Sequence, residues 1–245
     1  MSNVLIIGAT SAIGQAAARL FANAGDGLFL VARDEQKLQT VADDLRVRGA
    51  SAVQTTLLDV LEFNRHQEII DAAIDALNDI DIALIAHGTL PNQKRCEQAF
   101  DELRQEIEIN ALSTMSLLST LANYFERRQR GSIAVISSVA GDRGRQSNYV
   151  YGTAKSAIST YLQGLRNRLA SHGVSVVTIK PGFVDTPMTA DFPKGLLWSS
   201  PDRVAAGIYK AIAKRKDVVY VPFYWRYVML VLRAVPESIF KRMRL

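Results

Sequence analysis

The chain has 245 residues and 27.0 kDa, with 48% apolar and 22% charged residues, the balance of one well-buried soluble domain. A single cysteine, Cys96, excludes an internal disulfide, and the apolar run at 4–7 is too short for a secretory leader, so a cytoplasmic location is expected. The net charge of +5 and pI near 9.4 could suit nucleic acid, but basic residues are thinly spread except near the C-terminus, so no nucleic-acid partner is expected.

Residues 4–7 read as a first strand running into Gly8, Ala9, Thr10, Ser11, Ala12, Ile13 and Gly14, then an Ala-rich helix over 15–24. Glycines at such a turn let backbone approach a pyrophosphate, and the helix start offers unpaired N–H groups; the plainer reading is a strand that simply turns into a helix. A second strand, 28–32, ends where an NAD-selecting carboxylate would stand, and there the chain has Ala32 and Arg33. A guanidinium suits a 2′-phosphate, which favours NADP(H) over NAD(H). Asp34 is either the cap of a helix over 35–46 or a rival contact to the ribose hydroxyl.

A third strand, 53–58, ends in Asp59 and Val60. A helix follows over 65–77, then a fourth strand, 82–86, reaching His87 and Gly88. Gly88 suits close backbone approach, while a lone His87 beside a sheet edge reads as structural. One long helix is predicted over 97–127, carrying Asn110 among Ile107, Ile109, Ala111 and Leu112.

The apolar run 133–136 predicts a short buried strand with Ser137 and Ser138 at its carboxyl end, where ligands bind in an open α/β sheet. Tyr151 and Lys155 are four residues apart, so on a helix they share a face. An ammonium beside a phenol should pull its pKa down from about 10 toward neutrality, making a proton donor that can be recharged. A strand over 174–179 breaks at Pro181 and Gly182. The apolar, broken segment 187–199 then reads as a mobile lid, Ser200 and Pro201 start a helix, and 218–222 is a last strand.

Strands and helices thus alternate without linker or repeat, which predicts an α/β, three-layer, doubly wound parallel sheet, a Rossmann fold, in a single domain over 1–222. Residues 223–245 form a basic amphipathic extension with Arg226, Arg233, Lys241, Arg242 and Arg244 against Glu237. Its apolar run is far too short to span a bilayer of about 30 Å. It suits an interfacial anchor on anionic lipid, and equally docking over the active site or against a sister subunit.

Over most of its length the chain resembles the short-chain dehydrogenase/reductase family. The resemblance rests on the glycine turn, on Ser138, Tyr151 and Lys155, and on Pro181-Gly182; Ile7 and Ala12 replace a family Thr and Gly, and 85–87 depart from its Asn-Asn-Ala. It implies that Asn110 disturbs its helix and holds a water linking Lys155 to solvent. It also implies that Tyr151 and Lys155 contact cofactor as well as substrate, that Asp59 and Val60 meet the adenine, and that Pro181, Gly182, Val184 and Thr186 meet the nicotinamide side. A homodimer or homotetramer, with no metal in the site, is implied too. The catalytic segment and the tail are similar to the family's subgroup of decaprenylphosphoryl-2-keto-ribose reductases, implying a lipid-linked keto-sugar as the carbonyl substrate. The alternatives are a general carbonyl or 3-oxoacyl carrier-protein reductase, and a non-catalytic dinucleotide sensor or scaffold.

Overall fold

A computed structural model describes residues 1–243; Arg244, counted above among the basic residues of the tail, and Leu245 lie outside the described residues. In chain order the elements are β1 (Asn3–Ile7), α1 (Ala12–Asn23), β2 (Gly27–Ala32), α2 (Glu35–Val47), β3 (Ala52–Leu57), α3 (His66–Leu77) and β4 (Ile82–Ile85). There follow α4 (Gln93–Gln98), α5 (Phe100–Ile107), α6 (Ser113–Arg128), β5 (Gly131–Ile136), α7 (Tyr149–Leu169), β6 (Val174–Pro181), α8 (Pro201–Ala213), β7 (Val218–Val221), α9 (Trp225–Ala234) and α10 (Glu237–Phe240).

The seven strands form one sheet in the order β3-β2-β1-β4-β5-β6-β7, with every neighbouring pair parallel. Alternation along β1 divides the core: Val4 and Ile6 pack beneath α1, α2 and α8, whereas Leu5 and Ile7 pack beneath α3, α6 and α7. Burial on both faces is why the central strands read as unbroken apolar runs. The chain reverses its direction of winding between β1 and β4, and the C-terminal ends of those strands form the crevice where such sheets bind ligands.

The single helix predicted over 97–127 is three helices and a π turn. Asn92 caps α4 by accepting from the Arg95 N–H at 3.2 Å, Ala99 is extended (φ −133°), and Glu108–Leu112 is a π-helical turn centred on Asn110. Apolar periodicity persists across such interruptions, so it cannot show them.

Candidate active site

The chemistry is assembled where β5 ends against α7. Ser137 is buried, and its hydroxyl lies 3.0 Å from the Lys155 carbonyl and 2.9 Å from the Ser159 hydroxyl, fastening the strand end to the helix. Ser138 is extended and caps the short 3₁₀ turn Val139–Asp142, accepting from the Ala140 N–H at 3.1 Å. That turn can lie on α7 only because Gly141 has no side chain: a Cβ there would stand 2.6 Å from the Lys155 carbonyl carbon. Lys155 donates to the Ile136 carbonyl at 3.1 Å, and its ammonium is 5.6 Å from the centre of the Tyr151 ring.

The electrostatics differ from expectation. Burial pushes the Tyr151 phenol up to about 12, with the neighbouring Ser138 hydroxyl pulling the other way, and burial alone brings Lys155 down to about 8. The expected lowering of the phenol by the ammonium is therefore corrected. The lysine is bonded to a carbonyl rather than to the phenol, and removal from water dominates both groups. At neutral pH the phenol keeps its proton and the amine stays mostly charged.

Asn110 joins them from the third side. Its Nδ2 donates to Thr89 Oγ1 (2.9 Å) and to the Glu106 carbonyl (3.1 Å), while its Oδ1 accepts from the Thr89 N–H (3.0 Å). The bond to the Glu106 carbonyl, one turn back, competes with the regular helix ladder where the π turn sits. A Cβ on Gly88 would lie 2.9 Å from Asn110 Oδ1 and 3.4 Å from Lys155 Nζ, so this glycine opens the space between them. His87 is turned inward, with Nε2 2.9 Å from the Ser113 hydroxyl, and burial drives its pKa to about 3, which keeps it neutral.

Across the sheet, the β1–α1 turn fits a dinucleotide. Gly8 has φ +86°, and a Cβ there would meet the His87 nitrogen at 2.4 Å, so the turn rests directly on the end of β4. Ser11 caps α1 by accepting from the Gly14 N–H at 3.1 Å, and the Thr10 carbonyl accepts from Gln15 at 2.9 Å. Ala12 and Ile13 begin the helix, where N–H groups have no partner within the helix and no acidic side chain stands in the first turn. Arg33 is exposed at the end of β2. Asp34 is committed to capping α2, accepting from the Lys37 N–H at 3.0 Å and lying 3.2 Å from its ammonium. Asp59 is exposed beyond β3, where its carboxylate accepts from the Leu61 N–H at 3.0 Å, and the Val60 carbonyl lies 3.1 Å from His66 Nε2. Pro181 closes β6, Val184 is buried in a bridge to Ser199, and Thr186 begins a 3₁₀ turn with its hydroxyl 3.3 Å from that of Thr189. These residues line the carboxyl ends of successive strands, while Ser138, Tyr151, Lys155, Asn110 and Gly88 converge on one spot.

Sequence reading missed the supports. The Trp225 indole occupies the space beside Gly182, where a Cβ would approach it to 1.9 Å, and packs with Val139, next to Ser138. Asp142 forms a buried ion pair with Lys180 and accepts from the Tyr220 hydroxyl at 2.7 Å, tying the serine turn to β6 and β7. Arg143 donates to the carbonyls of Leu232 and Val235 at 2.6 Å each, pairs with Glu237 at 2.9 Å, and stacks on Phe240 at 3.7 Å. These partners lie far along the chain, and no local spacing announces them. The inner face of the C-terminal extension therefore packs beside the turn that follows Ser138.

A seven-stranded parallel sheet with a glycine turn at its switch point and a serine, a tyrosine and a lysine at its C-terminal edge defines a dinucleotide-binding oxidoreductase. Residues 2–196 match the short chain dehydrogenase family, to which the chain belongs as an NAD(P)-dependent oxidoreductase. An uncharacterized oxidoreductase of Mycobacterium tuberculosis is 35% identical over 240 residues, covering 98% of this chain and 96% of its own. One from Streptomyces coelicolor is 31% identical over 244 residues, covering 98% and 95%. The fold is shared with an alcohol dehydrogenase from Thermococcus sibiricus complexed with 5-hydroxy-NADP (TM-score 0.79, 24% identity, 89% of this chain and 95% of that one). It is shared as well with an actinorhodin polyketide ketoreductase with NADPH (TM-score 0.81, 22% identity, 91% and 97%).

Proposed function

We propose that the protein reduces a ketone to an alcohol, with Tyr151 as the general acid. The observation that carries this reading is the convergence of the Tyr151 phenol, the Lys155 ammonium, the Ser138 hydroxyl and the Asn110 amide beside Gly88. A reduced nicotinamide bound along the strand ends would supply the hydride. Ser138 and Tyr151 hold the carbonyl oxygen as negative charge builds on it, and Tyr151 gives up its proton. Lys155 stabilises the phenolate left behind, and Asn110 leads protons from solvent toward the lysine. Gly8, Thr10, Ser11, Ala12, Ile13 and Gly14 hold the pyrophosphate, Asp59 and Val60 the adenine, and Pro181, Gly182, Val184 and Thr186 the nicotinamide amide.

NADP(H) is the favoured cofactor, supported by an exposed Arg33 and by the engagement of Asp34 with its helix cap. The substrate is a lipid-linked keto-sugar of the decaprenylphosphoryl-2-keto-ribose kind, supported by the apolar lid at 187–199 and the basic tail at 223–245. The enzyme would work as a homodimer or homotetramer on the cytoplasmic side, in peripheral contact with membrane through the tail.

The test is NADPH oxidation with polyprenyl-phosphate keto-sugars, acyl thioesters and simple ketones, with Tyr151→Phe as the control. Turnover should fall by about 10² to 10⁴ in that variant while NADPH still binds. Near-normal turnover would remove Tyr151 from the role.

A further inference from the structure

Helix α9 is apolar on two opposite faces. At about 100° per residue, Trp225, Val228, Met229 and Leu232 form one stripe, which packs with Val139 and Phe183 on the body of the protein. Tyr227, Leu230 and Val231 form the other stripe, and each is more than 60% exposed. Arg226 and Arg233 lie seven residues apart, on one line between the two stripes.

The lid is fastened to the inner face and the N-terminal end of this helix. Its base is zipped by the Val184–Ser199 bridge, Trp198 stacks on Phe183 at 5.4 Å, and Phe183 meets the Trp225 ring edge-on at 5.2 Å. The Tyr224 hydroxyl donates to the Leu197 carbonyl at 3.1 Å, joining lid and helix directly. Beyond that joint the lid turns Met188, Phe192, Leu196 and Leu197 outward, with Leu196 fully exposed.

We infer that the outer stripe of α9 and the tip of the lid form one surface that seats on an anionic lipid bilayer, bringing the rim of the Ser138–Tyr151 site to headgroup level. Charge selects this occupant. Arg226, Arg233, Lys241 and Arg242 are exposed, Glu237, the one acidic residue among 223–243, is already paired with Arg143, and on the lid Asp185 is paired with Lys194 at 2.7 Å, which leaves the exposed Asp191 outnumbered. A second copy related by a two-fold axis through this stripe would press arginines against arginines, whereas lipid phosphates neutralise them. No helix among the described residues is long and apolar enough to cross a membrane, so the surface lies on the bilayer rather than through it. This surface rests on the lipid-linked-substrate reading for its purpose, and it is tested without turnover, so that either can fail alone.

The test is flotation of the full chain with vesicles of phosphatidylcholine, alone or mixed equally with phosphatidylglycerol. Binding should require the anionic lipid and weaken as salt rises. Leu230→Glu/Val231→Glu and, separately, Leu196→Glu/Leu197→Glu should each lower vesicle binding about tenfold, with the parent melting temperature retained. Absence of flotation with anionic vesicles would overturn the proposal. So would a lid variant that floats like the parent, or a tail variant whose main change is a halved molecular mass in solution. Failure to turn over lipid-linked keto-sugars would leave the flotation result standing and sink only the substrate reading.

Discussion

The two ends of the site are built by opposite means. At the dinucleotide end, the turn from Gly8 to Gly14 is made by backbone: a positive φ, a glycine touching His87, and a cap whose partners lie three residues apart. At the substrate end, the turn after Ser138 is held by side chains from distant segments: Lys180 and Tyr220 on Asp142, Trp225 against Gly182, and Arg143 on the end of α9. A backbone-built end accepts one cofactor class and tolerates surface change. An end built from long-range side chains can be retuned residue by residue, and it also fails residue by residue.

That contrast is breakable first at Trp225, which is 3% exposed. Trp225→Ala should cost about 3 to 5 kcal/mol of stability, the usual loss for a buried aromatic, read as a lower midpoint in urea unfolding. Asp142→Asn comes next: it strands the Lys180 ammonium in a buried site and should cost about 3 kcal/mol, while NADPH affinity is kept, as titration of cofactor fluorescence would show. If NADPH affinity fell as steeply as stability, the two ends would not be independent. At the other end, Arg33→Ala should weaken NADPH about tenfold and leave NADH unchanged, without lowering the unfolding midpoint. The mildest probe is pH. Lys155, held near 8 by burial, is charged below that value, so kcat/KM for ketone reduction should decline on the alkaline side as the amine loses its proton. A profile flat through pH 9 would assign the lysine a role that does not need its charge.

Legibility in the sequence follows the same division. The strands, the glycine turn and the helix carrying Tyr151 and Lys155 announce themselves through local patterns of apolar residues, glycine and four-residue spacing. The π turn at Asn110 was legible only through family resemblance, since the apolar pattern runs through it unbroken. The direction of the Tyr151 shift is not legible in the sequence, because burial, which spacing does not report, outweighs a neighbouring charge. Asp142, Arg143 and Trp225 carry no local signal of their role. Their partners are set by how β6, β7 and α9 meet in space, and no short window of sequence contains that meeting.

The clasp of Arg143 on the end of α9 also orders events in time. The carbonyls and carboxylate it holds are synthesised 89 to 94 residues after it. On the ribosome, the glycine turn of β1 and α1 can settle against β4 early, whereas the loop beside Ser138 waits for Lys180 and Tyr220 and lacks its last clasp until α9 and Glu237 emerge. The growing chain would thus acquire its grip on nucleotide well before its reactive edge is set.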